Sequence, residues 1–142
     1  MTCNLSVRNV AQSEHDCELA YGFLLRRTHT ISANLKTSYD SHRKFFFHHP
    51  YRFWYFVLKN EQEIGLFYGT HTNTIGINVE QKSYATISCI IKYILNEYKP
   101  LPAVPSVRSG NFNINISPED RDLNAIMLKM GFGLLQKTYR IN

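Results

Sequence analysis

The segment Glu80-Gln81-Lys82-Ser83-Tyr84-Ala85-Thr86 carries residue types in an order that can hold an anion. Ser83 reads as the N-cap of a helix. The backbone N–H groups of Tyr84, Ala85 and Thr86 then open that helix without partners inside it. Lys82 adds a cation beside them, and the helix dipole favours negative charge there. The same residues equally describe a plain capped helix whose N-terminus meets water, and both readings stay open. No glycine occurs in the segment, so a phosphate cannot be approached by bare backbone. Glu80 has the chemistry of a general base, as have the histidines, but no spacing singles one out. His42, His48 and His49 cluster, with His29 earlier in the chain and only Asp40 as carboxylate company. That set is poor for a metal, and none is expected. Cys3, Cys17 and Cys89 match neither a metal motif nor a nucleophile–base spacing, so they read as reduced thiols, mostly buried.

These residues need a scaffold, and the chain is long enough for one. Its 142 residues fit a single domain spanning 1–142. A 44% hydrophobic and 13% aromatic content is that of a folded globule rather than a disordered chain. No apolar run is long enough to span a membrane, and no signal peptide is recognisable, so a cytoplasmic location and no membrane partner are expected. The net charge of +5 raises the question of nucleic acid. The basic residues are scattered, however, and a surface that attracts a phosphorylated ligand accounts for them as well.

Hydrophobic period supplies the elements. Leu5 and Val7 suggest a strand over 4–10. Ser13 caps a helix with apolar positions Cys17, Ala20, Tyr21, Leu24 and Leu25. Residues 28–37 are polar and aperiodic, hence a loop. Ser38 caps a second helix carrying Phe45 and Phe46, with His42 and His49 on one face, and Pro50 closes it. Residues 52–59 are apolar on both faces, the pattern of a central strand. Trp54 and its aromatic neighbours there read as core before they read as a stacking platform. Two further strands, 63–69 and around Ile75, Ile77 and Val79, complete an antiparallel meander. A helix over 84–98 shows Ile87, Ile90, Ile91, Ile94, Leu95 and Tyr98 on one stripe.

The last third is the most informative part. Phe112, Ile114 and Ile116 alternate with asparagines, as in a half-buried strand. Ser117 reads as an N-cap with Pro118 at the first helical position and Glu119 and Asp120 in the first turn. Leu123, Ile126, Met127 and Met130 form the apolar stripe, and Gly131 ends the helix. A last strand over 134–141 follows. The predicted order is β-α-α-β-β-β-α-β-α-β.

That order, together with Ser117-Pro-Glu-Asp120 and Lys129-Met-Gly-Phe132, resembles the GNAT acyl-CoA N-acyltransferases. Ser38-Tyr-Asp-Ser-His-Arg-Lys-Phe45 with His49-Pro-Tyr-Arg-Phe-Trp-Tyr55 is similar to the segment entering the second strand of members that modify amino sugars. Glu63-Ile-Gly-Leu-Phe-Tyr68 and Ile75-Gly-Ile-Asn-Val79 are similar to the family's third and fourth strands. The resemblance covers essentially the whole chain and implies an α/β (α+β) fold with a mixed, mainly antiparallel sheet flanked by helices. It implies acetyl-CoA as cofactor, lying between 76–79 and 112–116. Ile77, Asn78, Val79 and Asn115 would line its arm, and Lys82, Ser83, Tyr84, Ala85 and Thr86 would meet its phosphates. Asp120 falls where the family contacts the pantetheine or adenosine moiety.

The sequence departs from that pattern in two places. The family turn Gln/Arg-x-x-Gly-x-Gly/Ala has lost its glycines here and is shorter. The family's frequent tyrosine or phenylalanine falls on Met127, which cannot donate a proton. The resemblance therefore implies either an N-acetyltransferase acting on a small amine, an amino sugar among the candidates, or an inactive GNAT-fold protein that binds a ligand or protein partner. A homodimer is compatible with both. A basic nucleic-acid-binding domain is the third reading, and the lack of a basic cluster argues against it.

Overall fold

The computed structural model describes residues 3–27 and 37–142. Its elements are β1 (Leu5–Asn9), α1 (Glu14–Arg26), α2 (Tyr39–His48), β2 (Phe53–Lys59), β3 (Gln62–Gly69), β4 (Thr74–Val79), α3 (Tyr84–Glu97), β5 (Asn113–Ile114) and α4 (Arg121–Lys129). The strands form one five-stranded sheet in chain order. The first four pair antiparallel, and β5 pairs parallel with β4.

The apolar run of β2 has the central role its composition implied, because side chains alternate across the sheet. Phe53, Tyr55 and Val57 join Phe67, Ile75 and Val79 under α3 and α4. Trp54 and Phe56 join Leu66 under α1 and α2. The β2–β3 turn is tight, with Asn60 and Glu61 both left-handed at φ 51° and 64°, the geometry that matches strand twist. Ser13, Ser38 and Ser83 cap their helices as expected. Buried Asn73 anchors the proline loop. Its amide donates to Leu101 O and Ser109 O and accepts from Leu101 N–H.

Several expectations are corrected. The cap of α4 is Asp120, not Ser117. Ser117-Pro118-Glu119 forms a turn instead, closed by Asp120 N–H on Ser117 O. The last strand over 134–141 does not form: these residues join no ladder and are exposed. Leu25 and Leu95 lie outside the buried stripes, and Phe23 and Ser88 are buried in their helices instead. Phe45 is exposed, and His49 is the C-cap of α2 rather than a member of it. The thiols are not all reduced, since Cys3 and Cys89 form a disulfide that ties the start of β1 to α3. Only Cys17 is free, and it is buried. His29 and the loop at 28–36 lie outside the described residues. No helix among the described residues is long and apolar enough to cross a membrane.

Candidate active site

The β4–β5 ladder consists of Thr74 with Asn113 and Ile75 with Ile114. Beyond it the two strands part. From Gly76 onward the outer edge of β4 keeps its backbone donors and acceptors without a strand partner, and 115–116 diverge opposite. Such an edge can pair with an extended amide-bearing chain. The side chains of β4 do not line this opening as a set. Val79 is buried in the core and Ile77 packs against it. Asn78 donates its amide to Phe23 O of α1 at 3.0 Å. What Ile77, Asn78 and Val79 can offer a ligand is backbone. Asn115 is exposed across the gap.

The start of α3 lies just past β4. Ser83 Oγ accepts the N–H of Thr86 at 3.1 Å. Helix geometry leaves the N–H groups of Tyr84 and Ala85 without intrahelical acceptors. Lys82 is already engaged: its ammonium lies 2.5 Å from Asp120 Oδ2, with the two side chains only 19% and 7% exposed. Asp120 Oδ1 accepts the N–H of Leu123. One buried carboxylate therefore caps α4 and clamps the β4–α3 turn to it. The expected anion-binding cation and the expected coenzyme-contacting acid are thus paired with each other. Beside them is a shallow depression of about 280 Å³ lined by Lys82, Tyr84, Asp122, Ala125, Ile126 and Lys129. The Lys129 ammonium sits over the Tyr84 ring at 4.5 Å, and so supplies a second cation near the helix start that the sequence did not mark.

The general-base candidates fall away from the gap. Glu80 is half exposed and paired with Arg26 at 3.4 Å. His42 is buried, its Nε2 bonded to Cys17 O at 3.0 Å, and burial pushes its pKa down. His49 Nδ1 accepts the N–H of Tyr51, and burial lowers its pKa also. Both are therefore neutral packing groups at neutral pH. No cluster of three metal-ligating side chains occurs among the described residues. Met127 is part of the core under α4.

The face of the sheet under α1 and α2 holds what sequence reasoning missed. Tyr68 lies over Gly76, its cross-strand partner. A β-carbon at 76 would come within 2.2 Å of the Tyr68 ring and 2.5 Å of its hydroxyl. Gly76 is the first residue past the last β4–β5 pair, so this glycine lets an aromatic hydroxyl reach the mouth of the gap. Tyr51 stacks on Tyr68 with centroids 4.0 Å apart, and Trp54 stands perpendicular to Tyr51. Burial, reinforced by Tyr68, pushes the Tyr51 phenol up, so it stays neutral. The Trp54 indole N–H is buried and has no partner among the described residues. The signal available in sequence was a glycine inside a strand, which marks a close approach, but naming Tyr68 required the register.

Comparison with known proteins places the fold. No family model matches the chain, and no curated relative does. Solved structures do match. The complex of aminoglycoside N-acetyltransferase AAC(6')-Iy with CoA aligns with a TM-score of 0.62 at 12% identity, covering 100% of this chain and 96% of that one. A possible acetyltransferase from Clostridium difficile 630 gives 0.61 at 10% identity, covering 97% of both chains. Aminoglycoside N-acetyltransferase AAC(6')-Ib11 gives 0.57 at 12% identity, covering 89% of this chain and 84% of that one. The chain has the fold of the GNAT acyltransferases, and identities this low speak to fold alone.

Proposed function

We propose that this protein is an acyl-CoA-dependent N-acyltransferase for a small amine, with acetyl-CoA as donor and an amino sugar among the candidate acceptors. The observation that carries this reading is the opened ladder, which ends at Ile75 and Ile114 with a capped helix start just beyond β4. The residues fit the donor in part. The free edge of 76–79 would hold the arm, and the N–H groups of Tyr84 and Ala85 with Lys129 would meet phosphate. The loop lacks the glycines for a close cradle, so binding should be weaker than in an enzyme with an intact loop. The donor supplies an activated thioester. The amine approaches on the Tyr68 side, and its nitrogen attacks the carbonyl carbon directly. The C–N bond would form as the C–S bond breaks, with water taking the ammonium proton, since Glu80 is engaged by Arg26 away from the gap, and water protonating the thiolate. No cysteine takes part: Cys17 is a buried residue of α1, and Cys3 and Cys89 are bonded to each other.

The second reading, a GNAT-fold binding protein without transfer activity, is favoured by the Lys82–Asp120 pair, which uses the turn's own cation internally. Calorimetric titration with acetyl-CoA and with CoA, followed by thiol release with amine acceptors, separates the two. Binding with release supports the transferase. Binding without release across aminoglycosides, amino sugars and polyamines supports the binding protein. Undetectable binding of both ligands at millimolar concentration removes the coenzyme from either account.

A further inference from the structure

The β4–β5 ladder is the shortest seam of the sheet. β5 has only two residues, and parallel pairing holds slightly less per residue than antiparallel pairing. Yet its register decides the gap. Phe112, Ile114 and Ile116 pack against the core under α3 and α4. A slip of one residue would bring Asn113 and Asn115 to that face instead. It would also move the point at which β5 leaves β4. A contact outside the ladder is needed to hold so short a strand in place.

Asn73, in the β3–β4 turn, makes that contact from full burial. Its side-chain amide donates to Leu101 O at 2.9 Å and to Ser109 O at 2.8 Å, and accepts the N–H of Leu101 at 2.8 Å. Both ends of the proline loop are thereby closed on one side chain. Its backbone carbonyl accepts the N–H of Asn113, the first residue of β5, at 2.9 Å. The adjacent Thr74 donates its hydroxyl to Asn113 Oδ1 at 3.2 Å. Arg108 adds two ties, from Nε to Pro102 O at 2.8 Å and from Nη1 to His71 O at 3.3 Å. The chain coming from α3 is thus fastened to the β3–β4 turn along the loop and again where β5 starts.

The residue type answers two demands at once. The turn is left-handed at this position, with φ 63°, a conformation that asparagine and glycine accept. The loop requires two donors and an acceptor on a short side chain, which an amide supplies and a carboxylate does not. Glycine would meet only the first demand.

We propose that Asn73 is a positioning residue: it pins the start of β5, and so sets where β5 parts from β4 and how the coenzyme gap opens. The consequence for the coenzyme rests on the acyl-CoA reading of that gap. The pinning itself does not.

Hydrogen exchange on the full chain tests the pinning, and calorimetric titration with CoA tests its consequence. In the wild-type chain the amides of Leu101 and Asn113, both held by Asn73, should open as one unit with the same dependence on low urea. Asn73→Gly keeps the turn. It should speed exchange at Asn113 and weaken CoA binding by about fivefold or more. Phe46→Leu, a core change on the other face of the sheet, controls for lost stability alone and should keep the wild-type result in both measurements. Separate opening of Leu101 and Asn113 in the wild-type chain overturns the proposal, even where no variant folds. Unaltered exchange at Asn113 in Asn73→Gly overturns it too, as does faster exchange there with an unchanged Kd, or an equal loss of affinity in Phe46→Leu. A wild-type chain that binds no CoA at millimolar concentration removes the acyl-CoA reading instead, and the exchange results then decide the pinning by themselves.

Discussion

Asp120→Asn should weaken the fold and tighten coenzyme binding in the same molecule. The asparagine oxygen can still accept the N–H of Leu123, so the cap of α4 survives. The ion pair with Lys82 does not. Removing one partner of a buried pair costs about 3–5 kcal/mol. The loss here should be nearer about 1–3 kcal/mol, because Asn remains a hydrogen-bonding neutral partner and Lys82 reaches solvent. Locally the charge changes from a neutral pair to one free ammonium. Taking a phosphate at about 7 Å and an effective dielectric of roughly 40, that charge is worth about 1.2 kcal/mol, close to a tenfold lower Kd. The gain should shrink as salt is raised, since the site is open to water.

Urea melts measure the first effect, and titration with CoA at two ionic strengths measures the second. A fall in affinity on Asp120→Asn would refute the reasoning. It would mean that the carboxylate itself contacts the coenzyme, as the family resemblance implies for this position. An unchanged Kd would place the phosphates elsewhere than at the start of α3.

Denatured without reductant, the chain should show one titratable thiol, that of Cys17. Closing a loop across a separation of 86 residues, the Cys3–Cys89 bond should stabilise the fold by up to about 4.6 kcal/mol on the chain-entropy account, so reductant should lower Tm. Three free thiols in protein purified from an oxidising medium would refute the bond. Gly76→Ala should cost about 1–3 kcal/mol through its clash with the Tyr68 ring, and the same change made in a Tyr68→Ala background should cost little beyond Tyr68→Ala alone. A full cost in that background would mean that the glycine serves some other purpose. In Asp16, burial raises the pKa but the hydrogen bonds from Arg8 and Ala11 outweigh it, and the net shift is downward. Its stabilisation is therefore complete above the unfolded value of about 4 and is lost as pH falls through the lower folded value. His42 and His49, lowered by burial, add a separate loss that begins below about pH 6.5. Asp16→Asn should remove only the more acidic part of the unfolding profile, and an unaltered profile below pH 4 would contradict the assignment.

The sequence made the elements legible where local pattern and tertiary environment agreed. The two-sided apolar run of β2 could only be central, and the caps at Ser13, Ser38 and Ser83 are satisfied within three residues. It failed where a distant partner decided the matter. Ser117-Pro118 has every local sign of a helix start, yet the helix begins after Asp120, whose carboxylate also meets Lys82 from 38 positions away. Leu25 and Leu95 have the right period for their helices but fall at the margin of the stripe, where the sheet does not reach. The tail is the opposite case. Residues 134–141 show a strand period in sequence but pair with no strand among the described residues and are exposed.

The site divides along the same line. Its backbone part, the open edge of β4 and the start of α3, follows from strand order and a cap, and both were readable. Its side-chain part depends on register, which brings the Tyr68 ring over Gly76 on the α1 and α2 face. Met127, at the position where the family often has a proton donor, lies in the core under α4. A tyrosine introduced there must first be packed, at a cost of about 1–3 kcal/mol, before its hydroxyl can reach a thiolate. The aromatic hydroxyl that does approach the gap is that of Tyr68, on the other face, and Gly76 admits it. From that side a phenol would orient an incoming amine, but it lies across the sheet from the acid position. Catalysis in this chain would then rest on holding two reactants in place, with water taking the part of the acid. Orientation alone can supply a large share of a barrier, about 7–11 kcal/mol when geometry is ideal. On that reading the grip on the donor would set the rate, and the Lys82–Asp120 pair is where that grip would be changed.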